Sequence, residues 1–371
     1  MTRGRSFRCS FSVLTVLAAM GLVSALAQTF AHAQTFPSGV VRVVVPGSAS
    51  TPPDILARII ANALSDSEGW KVIVENKPGG VNTIGAIEIL KSPADGHTIL
   101  SITAPFAAVP ALVPGAPFKY EKDFAPLIRI GTGYNVLVVN PSVPVHSVAE
   151  LIAYLKKDPG KYTFSSGGFG TPAHLLGELF KLEAGVQTTH VPYVQFPQAI
   201  GDLVSGVNTY QFITILPVVQ LIKTGKLRAL AVSGAKRVEA LPDVPTIVEA
   251  GYPKLASEDW AGLLLKAGTP PEVTARLNAA VNKALKTDKV RDALAKLGVD
   301  PAGGAPEAFG AMMHDEIVRW GRIIKEANIK ISQRCFSGRC ACMMHHFKGQ
   351  VVHLHVPDER QLHEFLYSRN E

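Results

Sequence analysis

From residue 41 to residue 327 short β-branched apolar runs alternate with segments of helical periodicity, and this alternation restricts the chain to an α/β architecture. Strands are expected at 41–45, 72–75, 98–102, 136–139, 162–165, 189–191, 209–213, 227–232 and 260–265. Between them a 3.6-residue period marks helices at 52–64, 83–90, 148–156, 172–183, 198–205, 218–224, 271–286, 289–297 and 306–327. Strand-then-helix order favours mainly parallel sheets flanked by helices. In the last helix Phe309, Met312, Met313, Ile317, Trp320 and Ile324 recur near that period and read as core. Roughly 300 residues exceed one core of ordinary size, so two lobes are expected.

Residues 1–33 read as an export signal. Arg3, Arg5 and Arg8 precede an apolar stretch over 11–27, and Ala31-His32-Ala33 forms a small-x-small cleavage site, with cleavage after Ala33. Periplasmic export follows, and no later stretch holds 18 apolar residues in a row. The formal charge is +7; the three signal arginines stand without an acid among them, which leaves +4 on the mature chain. The positive charges are dispersed among acids with no basic block, so nothing points to nucleic acid, whereas a mild positive field suits anionic small molecules.

The densest segment is 41–60. After the strand, Pro46 stops the ladder; Thr51 is placed as N-cap, Pro52 as first helical residue and Asp54 three positions on, a capping-box spacing. A helix start of this kind either binds an anion through its N–H groups or is simply a capped turn. A second junction, 165–174, repeats the Thr-Pro start: Ser165, Ser166, Gly167, Gly168, Phe169, Gly170, Thr171, Pro172, Ala173, His174. Gly168-x-Gly170-x-x-Ala173 fits a loose dinucleotide fingerprint, but no acid follows at the end of a next strand, so a carboxylate suits the glycine loop better than a nucleotide. His174 either lines a pocket or packs. A hydrolase would use Ser165 or Ser166 as nucleophile with His174 as base; no Gly-x-Ser-x-Gly elbow and no third orienting group accompany them. Asp54 is expected to fix the first loop and Asp202 to sit on a helix flank, and Arg58 and Arg237 are the arginines that could meet an anion. No metal-ligand spacing occurs between Gln34 and Lys330, and no cofactor is expected.

Several stretches carry a resemblance. Val45-Pro46 with Asp54-Ile55-Leu56-Ala57-Arg58, residues 74–80 (Val-Glu-Asn-Lys-Pro-Gly-Gly), 94–100 (Ala-Asp-Gly-His-Thr-Ile-Leu), 190–193 (His-Val-Pro-Tyr), 225–232, 241–246, 249–251 and 268–270, with Trp260 and Trp320, occur in the order found in tripartite tricarboxylate transporter solute receptors, the TctC-like or Bug proteins. The chain resembles that family from about residue 34 to 331. The resemblance implies a two-lobed periplasmic binding fold of type II, its cleft between lobes built from 34–130 with 255–331 and from 131–254. It also implies a monomeric receptor that closes on a small carboxylate, a di- or tricarboxylate, amino acid or aromatic acid, through backbone groups and ordered water. The receptor would pass its ligand to a membrane permease; a sensory receptor presenting ligand to a membrane kinase is the neighbouring alternative. On the matching positions the ligand-binding residues are Gly47, Ser48, Ala49, Ser50, Thr51 and Asp54 in the first loop. Ser165, Ser166, Gly167, Gly168, Gly170, Thr171 and His174 form the second, and Thr103, Ala104, Gln195 and Asp202 stand beside them.

The chain departs from the family pattern at the first loop, where Gly47 replaces an aromatic residue and Ser50 and Thr51 stand in place of two glycines. Val194-Gln195 likewise replaces Lys-Gly after Tyr193. Both changes point to an altered ligand preference. Beyond 331 the resemblance ends: 332–371 holds Cys335, Cys340 and Cys342 with His345, His346, His353, His355 and His363, which read either as an appended extension or as a metal-binding cluster, with strand pairing around 351–356.

Overall fold

Val41, Val43, Val44 and Val45 are all buried, so the first strand is covered on both faces and lies inside its sheet. The computed structural model describes residues 36–49, 51–193 and 195–329, together with the strand residues 346–347 and 350–351. The strands are β1 Val41–Val45, β2 Val72–Asn76, β3 Thr98–Thr103, β4 Phe124–Gly133, β5 Asn135–Val139, β6 Thr163–Ser166, β7 Thr189–Pro192, β8 Tyr210–Thr214, β9 Arg228–Val232, β10 Asp259–Lys266 and β11 Val299–Pro301. The main helices are α1 Pro52–Glu68, α2 Thr83–Lys91, α3 Val148–Lys157, α4 Pro172–Ala184, α5 Phe196–Val204, α6 Val219–Lys223, α7 Pro271–Leu285, α8 Asp288–Lys296 and α9 Pro306–Glu326.

Two sheets result. One is six-stranded in the order β11-β4-β10-β3-β1-β2, and the other five-stranded in the order β7-β6-β8-β5-β9. This is the two-sheet α/β fold expected, but the sheets are mixed and not mainly parallel. Parallel pairing is confined to β1 with β2 and β3, and to β6 with β7 and β8. β10 runs antiparallel to β3 and β4, β11 to β4, and β5 to β8 and β9, so each sheet is mixed. The antiparallel members include the strands by which the chain changes sheets. β4 ends at Gly133 and β5 starts at Asn135, so Tyr134 alone spans the first crossing. The return runs from the end of β9 at Val232 to the start of β10 at Asp259.

Ser233 ties the two crossings together. Its amide donates to the Asn135 carbonyl at 2.7 Å, and the Asn135 amide donates to its hydroxyl oxygen at 3.0 Å. The same hydroxyl donates to the Ser257 carbonyl at 2.7 Å, and the Ser257 amide returns a bond to the Ser233 carbonyl at 2.8 Å. Ser233 is buried, so these bonds form away from competing water.

Helices pack by their apolar faces: α1 buries Leu56, Ala57, Ile60, Ala61 and Leu64, and α9 buries Phe309, Met313, Trp320, Ile323 and Ile324. Gly177 lets α4 approach β6 closely, because a Cβ there would sit 2.5 Å from Cδ2 of Phe164. Toward the C-terminus His346–Phe347 pairs antiparallel with Gln350–Val351. Residues 1–33, read above as an export signal, and the tail residues Cys335, Cys340, Cys342, His345, His353, His355 and His363 lie outside the described residues.

Candidate functional site

The first loop leaves β1 through Pro46 and enters α1 at Thr51. Thr51 has the extended backbone of an N-cap, φ −83° and ψ 160°, but its hydroxyl caps nothing and instead donates to the Ser48 carbonyl at 2.6 Å. The expected capping box therefore does not form. Pro52 and Pro53 occupy the first two helical positions and have no N–H, so the helix start has few donors for a cap to satisfy. Asp54, buried at 2% exposure, holds the loop from below. Its carboxylate accepts from Asn76 Nδ2 at 2.9 Å and from Arg58 Nε at 3.1 Å, while Asn76 Nδ2 also donates to the Gly47 carbonyl at 3.0 Å. Arg58 thus serves Asp54 and Arg237 pairs with Glu249 at 3.0 Å, while each side chain stays about half exposed, with N–H groups beyond these bonds. The amides of Gly47, Ser48 and Ala49 donate to nothing among the described residues, and Ser50 lies outside them.

Beside this loop stands the start of α2. Gly85 lies so close to Pro46 that a Cβ on it would come 2.7 Å from the proline Cβ. The turn before α2 has positive φ at four consecutive residues: Gly79 (115°), Gly80 (58°), Val81 (54°) and Asn82 (70°). For a β-branched valine that conformation is strained.

The second loop follows β6 and meets the same turn: a Cβ on Gly170 would come 2.7 Å from Val81 Cγ1 and 3.6 Å from Leu112 Cδ1. Residues 46–49 and 51, 79–85 and 167–171 therefore form one contiguous region drawn from both sheets. Ala104 and Pro105, just past β3, share a small pocket with Pro172, Leu175 and Leu176 of α4, which brings Ala104 to the second loop as well. Thr103 is the last residue of β3. Gln195 is the N-cap position of α5, and the Phe196 ring after it would lie 3.3 Å from a Cβ on Gly167.

Within the second loop Thr171 caps α4: its hydroxyl accepts from the His174 amide at 3.4 Å and donates to the Gly168 carbonyl at 2.8 Å. The two serines point apart, as successive residues of a strand do. Ser165, fully buried, donates to Gln211 Oε1 at 3.1 Å and so turns its side chain away from the loop. Ser166 Oγ lies 2.6 Å from His190 Nε2 and accepts from the Gly168 amide at 3.0 Å. His174 Nδ1 accepts from the Gly170 amide at 3.1 Å. The serine–histidine pair imagined for a hydrolase is thus not formed with His174, and the histidine beside Ser166 is His190. The amides of Gly167 and Phe169 donate to nothing among the described residues. Asp202 stands one layer behind: it accepts from the Tyr193 hydroxyl at 2.7 Å, and the Tyr193 amide donates to the Ser166 carbonyl at 2.9 Å.

Electrostatics follow burial. Desolvation, with the charge of Lys181, pushes His174 down to about 4, and desolvation together with His174 and Lys181 pushes His190 to about 3, so both rings are neutral. Burial and the bond to Asp202 raise the Tyr193 phenol to about 12. At the sheet crossing, burial raises the Asp259 carboxyl to about 7, and its Oδ1 has no hydrogen-bond partner among the described residues. Among the described residues no group of three or more His, Cys, Asp or Glu could hold a metal ion.

His190 and Asn76, which lie in stretches that carry the family resemblance, Phe169 of the second junction, and Val81 are the parts of this region not expected among the ligand-binding residues. Asn76 was marked by its place before Lys77-Pro78-Gly79-Gly80 and His190 by the stretch 190–193, but nothing local pairs His190 with Ser166, which is 24 residues away.

The model of the tripartite tricarboxylate transporter family receptor matches residues 56–329. The chain belongs to that family. Among curated relatives of this receptor, Protein BugT of Bordetella pertussis is 35% identical over 320 residues, covering 85% of this chain and 98% of BugT. The R. palustris protein Rpa4515, solved with adipate, is 34% identical with a TM-score of 0.72, covering 80% of this chain and 99% of its own. MatC of Rhodopseudomonas palustris, solved with bound malate, is 30% identical with a TM-score of 0.70, covering 78% and 100%. The receptor thus shares fold and family with proteins solved holding small dicarboxylates, and among its described residues no helix is long and apolar enough to cross a membrane.

Proposed function

We propose that this receptor works in the periplasm as a monomeric, non-catalytic solute-binding protein that captures a small carboxylate between two lobes and hands it to a membrane permease. Residues 34–130 with 255–331 and residues 131–254 are the lobes in this reading. The observation that carries it is that two sets of amides, 47–49 and 167 with 169, donate to nothing among the described residues and lie in loops linked through the 79–85 turn, where Gly85 abuts Pro46 and Gly170 abuts Val81. Such N–H groups, oriented by the loops and by a helix start, solvate an anion without a counter-cation. The two prolines at the start of α1 move the burden on that side from the helix to the loop amides. Adipate and malate in related proteins set the size class of acid to test first. Rotation about the crossings at Tyr134 and 233–258 closes the cleft.

A thermal-shift screen of the mature protein against dicarboxylates, tricarboxylates, amino acids and aromatic acids tests the proposal. An acid present at 100 times its Kd adds about 2.7 kcal/mol of stability. Absence of any shift across all four classes overturns the carboxylate reading, and turnover of a stabilising acid overturns the non-catalytic one.

A further inference from the structure

The chain leaves β6 at Ser166 and turns through 167–170, with positive φ at Gly168 and Gly170, and the amides of this turn divide into two sets. The amide of Gly168 donates inward to Ser166 Oγ at 3.0 Å, and the amide of Gly170 donates to His174 Nδ1 at 3.1 Å. Those between and before them, on Phe169 and Gly167, are the ones that donate to nothing among the described residues. The acceptors behind the loop thereby select which amides remain for a ligand. Both acceptors belong to one cluster. Ser166 Oγ sits 2.6 Å from His190 Nε2, the rings of His190 and His174 lie 4.3 Å apart at 34°, and Phe169 meets the two rings edge-on at 5.2 and 5.4 Å. Phe164 stacks on the far side of His190 at 4.8 Å, which fixes that ring from below.

We propose that His174 and His190 are positioning residues of the second grip: His174, as a neutral acceptor, holds the Gly170 amide, and His190, hydrogen-bonded to Ser166 Oγ, fixes the oxygen that accepts from the Gly168 amide, so that those of Gly167 and Phe169 are left for a bound carboxylate. The proposal rests on the carboxylate reading above. Nδ1 of His174 can accept only when the ring is neutral with its proton on Nε2, and burial keeps it so. A proton on Nδ1 would set a donor against the Gly170 amide and expel it. Around the cluster the charged groups are Lys181 of α4, which acts on both rings, and its ion-pair partner Glu178 at 2.8 Å; β8 contributes the neutral phenol of Tyr210, which stacks on Phe164.

The test separates acceptor from bulk. His174→Asn and His190→Gln place an amide oxygen near the lost ring nitrogen, whereas His174→Phe and His190→Phe keep a ring without an acceptor. Backbone amide exchange of the ligand-free protein is followed by NMR, and affinity is measured for malate and adipate. Expected is a drop of about tenfold in protection at Gly170 in His174→Phe and at Gly168 in His190→Phe, largely restored in the Asn and Gln variants, with affinity weakened about tenfold and restored in the same order. Unchanged exchange in the Phe variants overturns the proposal, as does released exchange with unchanged affinity. Should a Phe variant not fold, Ser166→Ala gives the same reading: Gly168 is released and Gly170 is kept. If the wild-type protein binds no acid in the full screen, the carboxylate reading fails, and the exchange order alone decides whether the two histidines set the loop.

Discussion

Gly170 and Val81, which belong to loops on different sheets, touch so closely that a Cβ on the glycine would lie 2.7 Å from Val81 Cγ1. Gly170 also has φ +75°. Gly170→Ala therefore meets two penalties, about 1 kcal/mol for the left-handed backbone and a further 1–2 kcal/mol or so for the clash. Val81→Ala in the same chain removes only the second. A double-mutant cycle by urea denaturation should show the pair less destabilised than the sum of its members; additivity would mean that the two loops part in solution.

Asp54 is the anchor of the first loop, and its loss leaves Asn76 and Arg58 without their shared acceptor. Asp54→Ala should cost about 2–4 kcal/mol, as removal of a buried, hydrogen-bonded charge does. Asn76→Ala frees the Gly47 carbonyl as well and should weaken acid binding by roughly tenfold with a smaller stability loss. Calorimetric melting and titration of each variant measure the two effects separately.

Stability should pass through a maximum near pH 6.5. His174 and His190 take up protons near 6.5 when unfolded, but only near 4 and 3 when folded, so stability falls as pH drops below 6.5, by about 1.4 kcal/mol per pH unit for each ring. Asp259 has the opposite sign: it ionises near 4 when unfolded and near 7 when folded, so its contribution is full at low pH and is lost as pH rises toward 7. Asp259→Asn should abolish the decline that ends near pH 7 and steepen the acid limb between about pH 4 and 6.5, where Asp259 otherwise offsets part of the histidine effect. Melting temperatures from pH 5 to 8 would show a wrong sign at once.

Helix propensity alone says that Gly177→Ala in α4 should stabilise by about 0.5–1 kcal/mol. The Phe164 ring reverses that expectation, since the new Cβ would lie 2.5 Å from its Cδ2. A loss of about 1–3 kcal/mol is expected, read as a lower urea midpoint with unchanged slope.

Most of the fold could be read from periodicity because most elements are locally self-consistent. β1 and the start of α1 fall where the valine run and the proline pair place them. β4 was not legible. Pro126, Arg129, Gly131 and Gly133 interrupt its alternation, and its pairing with β10 shifts register twice, so tertiary burial and not pattern makes it a strand. At the site the glycine-rich second loop and the Thr-Pro helix starts were visible. The use of Thr51 was not, because two prolines beyond it remove the donors that a capping box would satisfy. Val81 gave no warning either, since a valine is among the last residues expected at positive φ.

Ser233 has a mechanical consequence. Because one buried residue is bonded to both connections between the sheets, neither connection can flex without the other. In the proposed closure the pair would act as a yoke with a single torsional axis, favouring a swing of the halves over splaying or sliding. On that proposal the two sets of loop amides would return to the same register at each closure, the entropy of finding that alignment having been spent during folding, before any solute arrives.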